Sequence, residues 1–221
     1  LTIPVTLLEG TEATTITAVN NVTGTSIAAA TGEVDCMYAM PVLKVTNKSN
    51  QTKGVELTMK HALSMVSFRV YKAADYEGTG KLTKIVLKNV DTGTTLSKGA
   101  SPTMNIKTGA ITEGTPTAAT YTRTIKDGYT LEDTAAGAGA KKFSIMVLPI
   151  STIGNDKIQA TFTIDGAEYT VKLTAPSDNS GAWLAGKNHL YTVKLSGTEL
   201  SISTITVTQW VGVVGGTLEI K

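Results

Sequence analysis

Two short segments have the residue types of catalytic or nucleotide-binding loops. Asp91-Thr92-Gly93 matches the tripeptide with which aspartic proteases bring two carboxylates together to share a proton and activate water. The sequence has one copy of it, and Asp-Thr-Gly is also ordinary turn chemistry, which is the stronger prediction. Glu77-Gly-Thr-Gly-Lys81 lacks the full spacing of a phosphate-binding loop and the helix that should follow it. We predict a hairpin loop there, and no enzymatic activity for the chain.

The residues that most often bind metals are few. His61 and His189 are the only histidines, and Cys36 is the only cysteine. A zinc site needs further ligands at a recognisable spacing, and the scattered acids do not supply them. We predict structural histidines, no metal, no other cofactor and no internal disulfide. A triad of serine, histidine and acid is recognised by geometry, so the sequence leaves that alternative open.

The two tryptophans, Trp183 and Trp210, could form a flat platform for sugar rings. Aromatic residues make up only 5% of the chain, so core or interface anchors are the stronger prediction for both. We expect His61 and Trp210 to be structural, because both lie in apolar strand contexts.

Composition excludes several classes of partner. The charged fraction of 17% is below the roughly 25% of ordinary soluble domains, and the net charge is only +2. The lysines are scattered, so we predict no nucleic-acid partner. No run reaches the roughly 20 apolar residues of a membrane span. The sequence starts at Leu1 without an export signal, so we expect membrane attachment only through a removed lipoprotein leader.

Hydrophobic residues alternate with period two, and turn residues interrupt them about every ten residues, which predicts an all-β sandwich or barrel. The predicted strands are Ile3 to Leu8, Thr15 to Val19, Val42 to Thr46, Val55 to Met59, Met65 to Tyr71, Leu82 to Val90, Phe143 to Leu148, Ile158 to Ile164, Glu168 to Leu173, Leu190 to Leu195, Leu200 to Val207 and Thr217 to Ile220. Asp165-Gly166 predicts a tight hairpin between two of them. We also predict a polar domain boundary at 46–53 and a surface loop at 135–140.

The last strand region has an unusual apolar pattern. Leu200 and Ile202 are in one phase of a strand and Ile205 and Val207 in the other, which predicts a bulge near Ser203–Thr204. A bendable segment of valines and glycines follows Trp210. Two readings stay open: the region is donated to a neighbouring molecule, or it forms the last two strands of its own sandwich. The residues predicted to make the donated surface are Leu200, Ile202, Ile205, Val207, Trp210, Val213, Leu218 and Ile220.

Four segments, in order, resemble those of fimbrillins, the type V pilin subunits of Bacteroidales-type bacteria. VELTMKHALSMVSFRV at 55–70 is similar to the segment that opens their C-terminal domain. FSIMVLP at 143–149 resembles an apolar strand that ends in proline, and LAGKNHLYTVK at 184–194 resembles the start of their Gly-Lys-x-x-x-Tyr-x-Val strand. LSISTITVTQW at 200–210 is similar to the closing strand that ends in tryptophan.

The resemblance implies a Greek-key-like β-sandwich of the transthyretin-like pilin type, with a partial N-terminal β domain. Residues 1–50 are then the remnant or end of that domain, and 51–221 form a C-terminal sandwich with a candidate donor strand at 199–220. It implies a structural subunit of extracellular fimbriae at the outer-membrane surface, assembled by β-strand addition and supporting adhesion. Expected partners are neighbouring pilin subunits and a host surface protein or glycan. The alternative is a non-polymerising surface adhesin or glycan-binding lipoprotein of the same fold.

Overall fold

The computed structural model describes residues 2–5, 7, 34–39, 57–133, 141–177 and 181–210. These residues form thirteen strands and no α-helix. The strands are β1 (Thr2–Pro4), β2 (Met37–Tyr38), β3 (Lys60–His61), β4 (Ser64–Lys72), β5 (Lys81–Asn89), β6 (Thr103–Asn105), β7 (Ile111–Thr112), β8 (Thr120–Thr130), β9 (Phe143–Val147), β10 (Ile158–Ile164), β11 (Ala167–Lys172), β12 (Lys187–Ser196) and β13 (Glu199–Gln209).

Two four-stranded sheets enclose the main core. Their strand orders are β11-β10-β5-β8 and β13-β12-β4-β9, and one cluster of buried side chains draws on both sheets. Phe68 of β4 meets Phe162 of β10 edge to face, with ring centroids 5.4 Å apart, and both rings are fully buried. Alternate residues of each strand therefore fill the space between the sheets, as the period-two pattern predicted. The predicted all-β sandwich is confirmed.

The central pair of the second sheet is parallel. β4 and β12 run in the same direction from Met65 opposite Asn188 to Lys72 opposite Leu195. The hydroxyl of Ser67 donates to Asn188 Oδ1 at 2.7 Å across a sequence separation of 121 residues. Parallel neighbours need a long crossover connection, and here the crossover contains all four strands of the other sheet.

A second, smaller core lies beside the sandwich. A three-stranded sheet β1-β6-β7 and the pair β2-β3 contribute to it. Its buried members include Val5, Cys36, Leu63, Met104 and Leu148. The described parts of the first 50 residues thus pack against residues from the rest of the chain. The predicted boundary at 46–53 lies outside the described residues, so the division into 1–50 and 51–221 stays a prediction.

The predicted hairpin between β10 and β11 is confirmed. Ile164 pairs with Ala167, which leaves Asp165 and Gly166 as a two-residue loop. Both loop residues have positive φ, 49° and 81°, as the turn that matches the strand twist requires.

The segment 77–81 does not form the hairpin loop that its sequence predicted. It lies in the connection from β4 to β5, and these two strands belong to different sheets. The connection is fastened to the β10–β11 turn, because the Asp165 carboxylate accepts hydrogen bonds from the backbone N–H groups of Gly80 and Lys81. Gly78 and Gly80 thus lie in a connection that crosses from one sheet to the other.

Eight of the predicted strands overlap observed ones, although among the described residues of Ile3 to Leu8 only Ile3 and Pro4 are strand. Thr15 to Val19, Val42 to Thr46, Thr217 to Ile220 and the loop 135–140 lie outside the described residues. The described part of Val55 to Met59, residues 57–59, is not strand, and the next strand, β3, begins at Lys60. β8, with eleven residues, was missed altogether.

Candidate assembly site

The C-terminal strand of the described residues forms a long hairpin with the strand before it. β13 pairs antiparallel with β12 from Glu199 opposite Ser196 to Gln209 opposite Lys187. The connecting loop has two residues, and its Gly197 has a φ of 54°, in the left-handed region that favours glycine. Among the described strands, β13 has no neighbour on its other side. It is therefore an edge strand held to its domain by one partner.

The predicted bulge is present and corrects the phase of the apolar residues. Thr192 pairs with Thr204 and Val193 with Ile202, which leaves Ser203 as the extra residue. The Ser203 hydroxyl donates to the carbonyl oxygen of Thr192 at 3.0 Å. A bulge shifts side-chain alternation by one residue. The apolar residues on both sides of Ser203 therefore share one face of the strand.

That face is half-buried. Leu200, Ile202 and Ile205 pack against the main core, and Val207 is also half-buried. The intervening serines and threonines are exposed. The apolar row follows the length of β13 and ends at Trp210. The remaining predicted donor residues, Val213, Leu218 and Ile220, lie outside the described residues.

Trp210 is anchored at the end of β13. Its indole stacks on the imidazole of His61, with ring centroids 3.9 Å apart and an interplanar angle of 5°. Its backbone N–H donates to the carbonyl of Gly186 at 2.9 Å, and its side chain packs against the smaller core. Lys187 Nζ donates to Gln209 Oε1 at 3.0 Å beside it. The indole thus joins the hairpin to the smaller core.

His61 is oriented by an acid that the sequence did not indicate. Its Nδ1 lies 3.0 Å from each carboxylate oxygen of Asp35, and the imidazole is almost fully buried. An acid and a histidine are two members of a hydrolytic triad. Ser64 follows three residues later, but its hydroxyl is buried and has no hydrogen-bond partner among the described residues. The geometry supports the structural role predicted for His61.

The base of the hairpin is fastened to the β4–β5 connection. The Ser196 hydroxyl donates to Asp75 Oδ2 at 2.6 Å, and this hydrogen bond lowers the pKa of the Asp75 carboxyl below its usual value. The backbone N–H of Ala73 donates to the carbonyl of Leu195 at 2.8 Å. These two hydrogen bonds therefore hold the end of β12 in place, and β13 begins after the turn at Gly197.

The other candidate sites have structural explanations. The Asp91 carboxylate accepts a hydrogen bond from the Gly93 N–H at 2.8 Å, so the predicted turn is confirmed. Trp183 is fully buried and donates to the Tyr191 hydroxyl at 3.0 Å, which excludes it as a sugar platform. Within the described ranges no group of three or more potential ligands could hold a metal ion. Nor does that part of the chain contain a helix able to cross a membrane.

The match to a family of proteins covers most of the chain. The model of the fimbrillin-like family matches residues 8–210. No curated protein sequence matches.

Solved structures give a second comparison. A candidate cell adhesion protein from Bacteroides uniformis superposes with a TM-score of 0.51 at 19% identity, over 71% of this chain and 54% of its own. A fimbrial protein from Bacteroides vulgatus gives a TM-score of 0.43 at 11% identity, over 70% of this chain and 56% of its own. The chain thus spans about half the length of these proteins. At such identities the first likeness is one of fold alone.

Proposed function

Because the chain belongs to the fimbrillin-like family, we propose that it is a subunit of bacterial surface fimbriae that polymerises by β-strand addition and supports adhesion. Proteins of this family are structural and non-enzymatic, and they belong to the cell surface. The partners we propose are neighbouring pilin subunits and a host surface protein or glycan. Attachment at the outer-membrane surface would come from a lipoprotein leader.

The observation that carries the proposal is the position of β13. Among the described strands it lies at the edge of its sheet, a two-residue turn joins it to β12, and its apolar row ends in the Trp210 anchor. An equivalent strand from a neighbouring molecule could make the same contacts, which is the principle of domain swapping. Fully burying one Leu, Ile or Val side chain contributes about 1.5–3 kcal/mol, so several half-buried ones give a joint of several kcal/mol.

In this proposal the donated surface consists of Leu200, Ile202, Ile205, Val207, Trp210, Val213, Leu218 and Ile220. Backbone hydrogen bonds along the strand supply affinity, and the alternate apolar side chains determine register. Proteolytic removal of an N-terminal strand that blocks the acceptor groove would precede assembly.

A second candidate function is a surface adhesin or glycan-binding lipoprotein that does not polymerise. A cleft of about 380 Å³ favours it, because Trp210, Phe143, Met65 and Arg123 contribute to the lining. Aromatic and cationic side chains in one cleft suit a sugar ligand.

The test is to lock β13 onto its own β12. Lys194 and Ser201 face each other across the hairpin, and both are partly or fully exposed. We would replace both by cysteine in a Cys36→Ala background, since directly opposite residues satisfy the distance needed for a disulfide. We expect the oxidised chain to form no detergent-resistant ladders, and reduction to restore them.

Single-cysteine variants control for intermolecular disulfides, and a chain ending at Trp210 separates β13 from the residues after it. Both processed and unprocessed N-termini are assayed. Ladders from the fully oxidised, locked chain would rule out β13 as the donor. Absence of ladders under every condition, together with monomeric binding to host cells, would favour the adhesin.

A further inference from the structure

A small pocket lies beside the smaller core, which contributes Ala62, Leu148 and Ile111 to its lining. Its volume is about 280 Å³, and its walls include the methyl groups of Ala62, Ala110 and Ala185, the side chain of Leu148 and the strand residue Ile111. Sites for drug-sized ligands usually have volumes of about 300–1,000 Å³. The pocket thus suits one long side chain better than a whole small molecule.

One wall of this pocket is polar. Glu113 lines it, and Glu113 Oε1 is buried without a hydrogen-bond partner among the described residues. A buried carboxylate oxygen without a donor costs free energy, because it has lost water and gained no replacement. The carboxylate therefore favours an incoming donor, and a cationic donor most of all.

The pocket borders β7, which lies at the edge of its sheet among the described strands. β7 (Ile111–Thr112) pairs with β6 and with no other described strand. The N–H of Asn105 donates to the carbonyl of Ala110 at 2.9 Å, and the carbonyl of Asn105 accepts from the Gly109 N–H at 2.8 Å, so the backbone groups of Asn105 point toward β7 and close the hairpin. Hydrogen-bonded and non-hydrogen-bonded pairs alternate in an antiparallel ladder, so the next pair, Met104 and Ile111, is of the second kind. The backbone N–H and C=O of Ile111 consequently point away from β6.

From this arrangement we propose that the edge of β7 and the pocket beside it bind an extended peptide strand that presents a lysine or arginine side chain. The backbone of the peptide pairs with Ile111, and the aliphatic part of the side chain lies against Ala110 and Leu148. Its cationic end donates to Glu113 Oε1. Recognition by strand addition combines outward-pointing backbone groups, here those of Ile111, with a side-chain pocket beside them.

The inference rests on one part of the proposed function, namely that neighbouring molecules attach by adding a strand. It concerns an acceptor surface on β7 and makes no use of β13. The peptide test below uses monomeric protein and the locked-hairpin test measures polymers, so either idea can fail without the other.

The probe is a blocked pentapeptide, acetyl-Thr-Val-Lys-Val-Thr-amide, titrated into the isotope-labelled full-length chain and followed by NMR. We expect the amide signals of Ile111–Glu113 to shift. The same peptide with acetyl-lysine keeps the length and loses the charge, and we expect it to bind roughly tenfold or more weakly.

Two protein variants complete the test. Glu113→Gln should weaken the binding of the lysine peptide by roughly tenfold and leave the affinity for the acetyl-lysine peptide unchanged. Glu77→Gln makes the same charge change at an exposed position outside the pocket and should leave both peptides unchanged. Ala185→Phe fills the pocket from an exposed position and should abolish both shifts, even if Glu113→Gln folds poorly. Equal affinity for the two peptides, or no shift at Ile111–Glu113 at millimolar peptide, would overturn the proposal.

Discussion

The imidazole of His61 and the indole of Trp210 lie face to face, 3.9 Å apart between centroids and within 5° of parallel. His61 ends β3 and Trp210 follows β13, so the stack joins two segments almost 150 residues apart in the sequence. Asp35 holds the imidazole from the side at Nδ1, which fixes the plane on which the indole rests. Trp210 therefore fixes the end of the strand at which the candidate donor region continues.

Replacing Trp210 should loosen the end of β13. Aromatic pairs contribute about 0.5–1.5 kcal/mol beyond their burial, and the half-buried indole adds an apolar contribution. We expect Trp210→Ala to lower the free energy of unfolding by about 2 kcal/mol, and Trp210→Phe to lose less because it keeps a ring over His61. Urea denaturation measures both. Equal losses for Ala and Phe would mean that the stack contributes nothing.

The Asp165 carboxylate should make stability depend on pH. Burial alone would raise the pKa of this carboxyl. Hydrogen bonds from the N–H groups of Lys81 and Gly80 and from the Tyr76 hydroxyl together lower the pKa by more, so the net shift is downward. A lowered pKa means that the unfolded chain binds more protons as the pH falls below 3.8. The contribution is thus complete above that pH and is lost as pH falls through the folded pKa.

Asp165→Asn should therefore destabilise the protein at pH 7, and its difference from the unmodified chain should shrink below pH 3.8. Asp127→Asn is a matched control, because Asp127 is exposed and also has positive φ, at 64°. Urea midpoints at several pH values measure the effect. A difference that stays constant down to pH 2 would contradict this account.

Arg123 should protect a sheet edge. It lies on β8 at the edge of one sheet, and its Nε and Nη2 donate to the carbonyl of Ser144 on β9, the edge of the other, at 3.1 and 2.7 Å. Removing both donors with Arg123→Ala should cost about 1–3 kcal/mol and open an edge that favours self-association. Denaturation and size-exclusion chromatography measure the two effects. Arg123→Lys keeps the charge but loses the planar guanidinium with its two donors. If the Lys variant keeps the full stability and stays monomeric, the geometry of the guanidinium is unimportant.

The contact between Phe68 and Phe162 should be a main determinant of the sandwich. Phe68→Ala should cost about 3–5 kcal/mol, as fully buried phenylalanines do. In a double-mutant cycle with Phe162→Leu and Phe68→Leu, the coupling should be about 0.5–1.5 kcal/mol. Guanidinium denaturation provides the four free energies. A coupling near zero would leave only burial as the source of their stabilisation.

The features that were predicted correctly from the sequence are those that depend on residues close together in the chain. The Asp165-Gly166 turn and the bulge at Ser203 were predicted because turn residues and side-chain phase are visible in a few consecutive residues. β8 was missed because only Tyr121 and Ile125 among its residues are buried, and charged residues interrupt the pattern. It also contains a wide irregularity, since Leu82 pairs with Tyr129 and Lys84 with Thr124.

The candidate site was predicted less completely. The apolar row of β13 could be read from alternation, and Trp210 could be expected to anchor it. The partners of Trp210 could not, because no local pattern connects Asp35, His61 and a tryptophan at the opposite end of the chain. The carboxylate of Glu113 beside β7 was missed for the same reason, since only the fold brings the alanines of the pocket together.

The parallel pairing of β4 with β12 also governs the order of events as the chain is made. β4 lies between β12 and β9, so one of its two neighbouring strands is missing until residues near 190 have been synthesised or exported. Contacts that close loops of this length form slowly, and the edge of β4 that pairs with β12 stays without that partner meanwhile. A subunit emerging N-terminus first would thus need a holding factor until its last strands arrive. Completion of this sheet, rather than formation of any local hairpin, would then set the rate of maturation.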